Sequence, residues 1–145
     1  MTVGSDHSPA PPEMKTSQDF FAVWGGISGA QHLLPLLLDL WQEQGVMDWS
    51  LLARLTAESV AERFQLGPSY GRIASGAEAN LALVDLEGRE AVTPERLHYR
   101  HGITPYFHRK LRGKIVRTLL RGQTVACEGQ ATGAAGGRFV APQIP

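Results

Sequence analysis

Apolar and polar positions change rhythm once along the chain, near Gly67-Pro68. Before that point the spacing is helical. Leu36, Leu37, Leu40 and Trp41 recur at i, i+1, i+4 and i+5, which predicts a helix over Pro35 to Gln44 with that face turned inward. Pro35 suits its first turn and Gly45 its end. Leu51, Leu52 and Leu55 share a face of a second run that Asp48 or Ser50 can cap. Thr56 restarts it, with Val60, Ala61 and Phe64 facing inward until Gly67-Pro68. From about Gly71 the chain reads as short β-type segments broken by Gly and Pro. Leu81 to Val84 is one strand, and Lys114 to Leu120 and Gln123 to Cys127 flank a hairpin turn at Arg121-Gly122. Gly133 to Gly137 reads as a flexible loop of small residues, and no internal repeat is visible.

The N-terminal stretch is different. Met1 to Gly4 is a short strand-like lead that stops at Ser5-Asp6-His7-Ser8-Pro9, and Ala10-Pro11-Pro12 excludes regular structure. Asp6 therefore sits where a strand gives way to a loop. The loop runs to about Ser28, with Gly25, Gly26 and Gly29 giving its end backbone freedom. One strand with two helices does not close a layered core, because the strand lacks neighbours in its own sheet. The expectation is the end of something larger.

Composition narrows the function classes. The 145 residues are 43% hydrophobic and 19% charged, an ordinary globular balance. Lys+Arg and Asp+Glu are equal at 14 each, so no positive field supports a nucleic-acid role. Met1 to Pro12 lacks the basic start and apolar run of a signal peptide. The longest apolar stretch, Leu33 to Leu38, is interrupted by Pro35 and falls far short of the roughly 18 residues that span a bilayer. The lone Cys127 forms no internal disulfide. A soluble cytoplasmic protein is expected.

Several side chains carry two readings each. Asp6 either caps the turn that enters Ser8-Pro9 or is a catalytic carboxylate. His7 either orients its neighbour and contacts substrate or is a satisfied structural histidine. Gly25 and Gly26 either offer backbone groups to a ligand or only make the turn, and Trp24 reads as packing. His98-x-x-His101 suggests a metal pair on a helix, but Pro94 and Pro105 oppose a long helix there, and two ligands do not make a zinc site. Arg100, Arg109, Lys110 and Arg112 read as a solvated basic face, and Cys127 as a small buried strand residue.

Two stretches resemble a known family. Gly4-Ser5-Asp6-His7-Ser8-Pro9 with Pro12-Glu13-Met14-Lys15, and Phe20 to Gln31 running into Leu34-Pro35-Leu36, are similar to the segment after the last barrel strand of allantoinases in the amidohydrolase superfamily. Gly71 to Leu81, Leu97 to His101, Thr104-Pro105-Tyr106 and Leu111-Arg112-Gly113-Lys114 continue the resemblance, which runs from Val3 to about Val140. Dihydroorotase and hydantoinase share the Asp-His pair and Leu-Pro-Leu, whereas Trp24-Gly25-Gly26 looks allantoinase-like. Departures are Ala10 in place of a common Cys, Val60 for Pro, Asn80 for Asp, and His108-Arg109-Lys110 for a small-residue turn.

The resemblance implies an α/β plus β fold. Residues 1–67 would supply the last strand and helices of a TIM-type (β/α)8 barrel, and residues 68–145 the C-terminal part of a β-sandwich. It implies a cyclic amidohydrolase opening allantoin to allantoate in purine catabolism. A dihydroorotase- or hydantoinase-like hydrolase and a non-catalytic scaffold are the alternatives. The implied cofactor is a divalent metal, zinc first, binuclear in the complete enzyme. Asp6 would be both metal ligand and proton carrier, at the strand-exit face where barrel enzymes place catalysis. His7, Gly25 and Gly26 would bind substrate. The family also needs a His-x-His pair and a carboxylated lysine. None of His7, His32, His98, His101 and His108 forms His-x-His. The isolated chain is therefore expected neither to hold a metal tightly nor to turn over allantoin. It is expected to need a missing N-terminal half or self-association to cover its apolar face.

Overall fold

The computed structural model of the chain describes residues 1–45, 48–133 and 136–143. Ala134 and Ala135, inside the expected small-residue loop, lie outside the described residues. The helical part holds α1 (Leu33–Glu43), α2 (Trp49–Ala53) and α3 (Ser59–Arg63). A π-type turn over Arg54–Glu58 joins α2 to α3, so the expected restart at Thr56 is instead a continuous helical run. Thr56 Oγ1 donates to the Leu52 carbonyl at 2.8 Å within that run. Asp48 caps α2 as expected, its carboxylate accepting from Leu51 N at 2.8 Å. No helix among the described residues is long and apolar enough to cross a membrane.

The sheet is antiparallel, in the order β1-β2-β3-β4, with β1 (Leu81–Ala91), β2 (Lys110–Leu120), β3 (Gln123–Cys127) and β4 (Gln130–Ala131). The hairpin forms where expected. Arg121 and Gly122 take φ of 48° and 78°, the two positive values that match the twist of the flanking strands. Strand β1 runs well past Val84, because register shifts after Leu83 and Asp85 absorb extra residues and keep it paired with β2 to Ala91.

Three expectations are corrected. Met1 to Gly4 forms no ladder, since it has no neighbouring strand; Val3 N instead donates to the Leu55 carbonyl at 3.3 Å. Phe64 is 59% exposed, because the helix ends at Arg63 and the backbone turns to a positive φ at Gln65. The buried residues of α1 are Leu38 and Asp39, whereas Leu36, Leu37 and Trp41 are half-buried and Leu40 is exposed.

The rotation of α1 has a charge at its centre. Asp39, 7% exposed at its side chain, accepts from Arg112 N at 3.1 Å and Arg112 Nε at 2.9 Å, and pairs with Arg109 at 3.4 Å. Burial raises the Asp39 carboxyl, but the Arg112 hydrogen bonds and the two guanidinium charges outweigh it and hold it below the ordinary carboxylate range. Beside it Gly113, at φ 82°, lets Leu38 approach so closely that an added Cβ would lie 3.1 Å from the Leu38 Cβ. Leu38 and Leu111 close the helix–sheet core at this point. Arg109 and Arg112 are thus ion-pair partners of a buried acid rather than a solvated face. Asp39→Ala is expected to destabilise the chain by about 1.5–3 kcal/mol, toward the lower end because both guanidinium groups reach water. The shift in urea midpoint measures it.

Candidate functional site

Asp6 is exposed and takes φ 46°, a left-handed backbone that a non-glycine residue adopts at a cost. It does not cap the following turn. Ser8 N, the donor a local Asp turn would use, goes to the Ile27 carbonyl at 2.9 Å, and Pro9 has no N–H. His7 pairs with Ile27 in a parallel bridge. Its Nδ1 accepts from Gly29 N at 3.1 Å and Ala30 N at 3.3 Å, which leaves the imidazole hydrogen on Nε2. His7 and the glycine loop are therefore cross-tied, with Asp6 next to the knot.

Gly26 makes the turn. At φ 82° its missing Cβ would stand 2.3 Å from the Ser8 Cβ. Lys15 Nζ donates to the carbonyls of Trp24 and Gly26 at 2.7 and 2.6 Å and pins the base of the loop. Trp24 Nε1 donates to Ser8 Oγ at 3.3 Å, yet the ring is 49% exposed and so only partly packed. Among the described residues, neither the N–H of Gly25 nor that of Gly26 donates to a backbone carbonyl. Beyond the loop, Phe20, Phe21, Trp24 and Ile27 face Ile103 and Phe107 across an apolar groove that Asp6 and His7 do not line.

Behind His7 lies a cluster that the sequence did not reveal. Tyr99 stacks on His7 with centroids 5.2 Å apart, and its hydroxyl lies 3.0 Å from His32 Nδ1. Burial pushes the His32 imidazole below its ordinary value, with the Glu90 charge opposing in part, and burial pushes the Tyr99 phenol up. A depressed folded value means that the unfolded chain takes up the proton first. The His32 contribution to stability is therefore present above the ordinary value of 6.5 and lost as pH falls from there through the lowered folded value. Melting temperature is expected to drop across that window, and to drop less in His32→Asn, whose amide oxygen keeps an acceptor for Tyr99.

His98 and His101 do not form a helix pair. His98 Nε2 lies 3.0 Å from the Gly129 carbonyl. Cys127 is half-buried in β3. Among the described residues no group of three or more His, Cys, Asp or Glu side chains is placed to hold a metal ion. Zinc catalysis takes about three protein ligands and an open position, so the donors among the described residues do not by themselves fit a metal centre. Lys15, Gln31, Tyr99 and Thr104 went unassigned in the sequence, because their partners lie up to 76 residues away and leave no local pattern.

No family model matches the chain. It is 49% identical over 141 residues to the allantoinase of Rubrobacter xylanophilus, covering 97% of this chain and 31% of that enzyme. The allantoinase of Deinococcus radiodurans is 46% identical over 142 residues, with 98% and 31% covered. The chain thus spans about 31% of the length of the curated relatives it matches. Among solved structures, the D-hydantoinase of Thermus sp. superposes with a TM-score of 0.89 at 25% identity, covering 98% of this chain and 32% of that one. The L-hydantoinase of Arthrobacter aurescens gives 0.84 at 28% identity, with 90% and 30% covered.

Proposed function

From a chain that is a homologue of allantoinases and aligns with their C-terminal part, we propose that it serves a cyclic amidohydrolase that opens the hydantoin ring of allantoin to allantoate. The observation that supports this reading is an exposed Asp6, relieved of any capping role and set by the His7 knot at the edge of the glycine loop. Within that reading residues 1–67 complete a TIM-type barrel, and residues 68–145 belong to a β-sandwich. Asp6 is one ligand of a divalent metal, zinc first, whose remaining ligands lie outside these residues.

The chemistry assigned to this chain is proton handling. As water oxygen bonds to the ring carbonyl carbon, the Asp6 carboxylate takes its proton. As the carbon–nitrogen bond breaks, the same proton passes to the leaving nitrogen. The Gly25 and Gly26 N–H groups present donors to the ring amide, and His7 holds the backbone beside Asp6. The hydantoinase likeness favours one rival, a related hydrolase of other hydantoins or dihydropyrimidines.

The test joins this chain to the N-terminal two-thirds of the Rubrobacter xylanophilus allantoinase and follows allantoin loss. Ring opening by the joined protein, and none by the chain alone, is expected. A folded, metal-loaded joined protein with no activity would defeat the proposal. Faster turnover of a 5-alkyl hydantoin or a dihydropyrimidine than of allantoin would transfer it to the rival.

A further inference from the structure

The segment from Arg96 to Thr104, on the sheet side of the chain, reaches back to the turn that carries residues 28–32. The Gln31 side chain donates from Nε2 to the Arg96 carbonyl at 2.7 Å and accepts from His98 N at 2.9 Å, so its amide behaves as a strand neighbour. Thr104 Oγ1 donates to the Ser28 carbonyl at 3.0 Å, with both residues buried. Tyr99 occupies the middle. Its hydroxyl accepts from Gln31 N at 3.0 Å, which leaves its own hydrogen for His32 Nδ1 at 3.0 Å. Its ring centroid lies 5.2 Å from that of the His7 imidazole, the two planes tilted by 33°.

Tyr99 therefore touches both sides of one joint. On one side is His7, whose Nδ1 takes the amides of Gly29 and Ala30; on the other is the backbone of Gln31 and the ring of His32. Meanwhile Asp6 holds a left-handed backbone, which Asp adopts more readily than most residues, and its next residue is His7. We propose that Tyr99 is a positioning residue that sets the aim of Asp6 through His7, so that the sheet-side segment governs the candidate catalytic group. This rests on the role proposed above for Asp6.

The test is nitrogen-15 NMR of the 145-residue chain at one fixed pH of about 7.5, a unit above the ordinary histidine value. In the parent chain the His7 hydrogen is expected on Nε2, with a nuclear Overhauser contact to the Tyr99 ring and slow exchange of the Gly29 and Ala30 amides. In Tyr99→Phe those two amides are expected to exchange at least about tenfold faster, and the His7 ring to average between tautomers, with strand amides unchanged; tenfold corresponds to about 1.4 kcal/mol, the worth of one such hydrogen bond. Thr104→Val removes a buried bond at the same joint and is expected to leave the His7 signature intact. The proposal is overturned by a parent chain without the His7–Tyr99 contact, by an unchanged His7 in Tyr99→Phe, or by equal loss in both variants. A Tyr99→Phe chain that unfolds as a whole makes Tyr99 a core residue and overturns it too. None of these readouts uses turnover, so an inactive joined enzyme would sink the assigned activity separately.

Discussion

Asp6→Asn in the joined enzyme is expected to lower kcat/KM for allantoin by about 10²–10⁴-fold, the usual worth of a positioned acid–base group. The substitution separates chemistry from folding. Asn matches Asp in size and is, like Asp, tolerated at positive φ, so the φ 46° backbone at residue 6 is retained. Exposure at this position keeps the change in stability within about 0.5 kcal/mol. What disappears is the carboxylate that receives a proton from water and returns it to nitrogen. Steady-state rates with a parallel melting curve measure both effects. A variant within threefold of the parent would instead favour a scaffold whose Asp6 takes no part in turnover.

Gly26→Ala is expected to destabilise the chain by about 2–5 kcal/mol, combining about 1–2 for a left-handed alanine with about 1–3 for the clash. The added methyl would sit 2.3 Å from the Ser8 Cβ and 2.9 Å from Ser8 Oγ, against backbone held by the Ser8–Ile27 hydrogen bond. Gly25→Ala is the internal control. Its Cβ meets nothing within 4 Å and its φ is not positive, so its stability is expected to match the parent. Denaturation midpoints, with Trp24 fluorescence reporting on the loop, distinguish the pair. Loss at Gly26 alone would give that residue a turn-making role. Gly25 would then be the position at which a substrate effect can be read without a folding effect.

How much was legible in the sequence follows from the range of the forces involved. Arg121-Gly122 makes its hairpin, Asp48 caps its helix, Pro35 sits in the first turn of α1 and Gly45 just beyond its end, because each depends on neighbours a few residues away. The runs around Asp6 and Trp24-Gly25-Gly26 are also contiguous, which is why they carried the family. Leu40 illustrates the limit. Its spacing marks an apolar face, but a helix can turn about its axis without altering its pattern, and Asp39 turned it toward Arg109 and Arg112, about 70 residues on. The crowding of Gly26 by Ser8, 18 residues back, was likewise absent from any local pattern. The sequence by itself determined the helical runs, the hairpin turn, the helix cap at Asp48 and the resemblance to allantoinases. Only the tertiary structure decided which face of α1 is buried, which glycine is crowded and that Tyr99 reaches His7, because those outcomes depend on contacts between segments that no local pattern encodes.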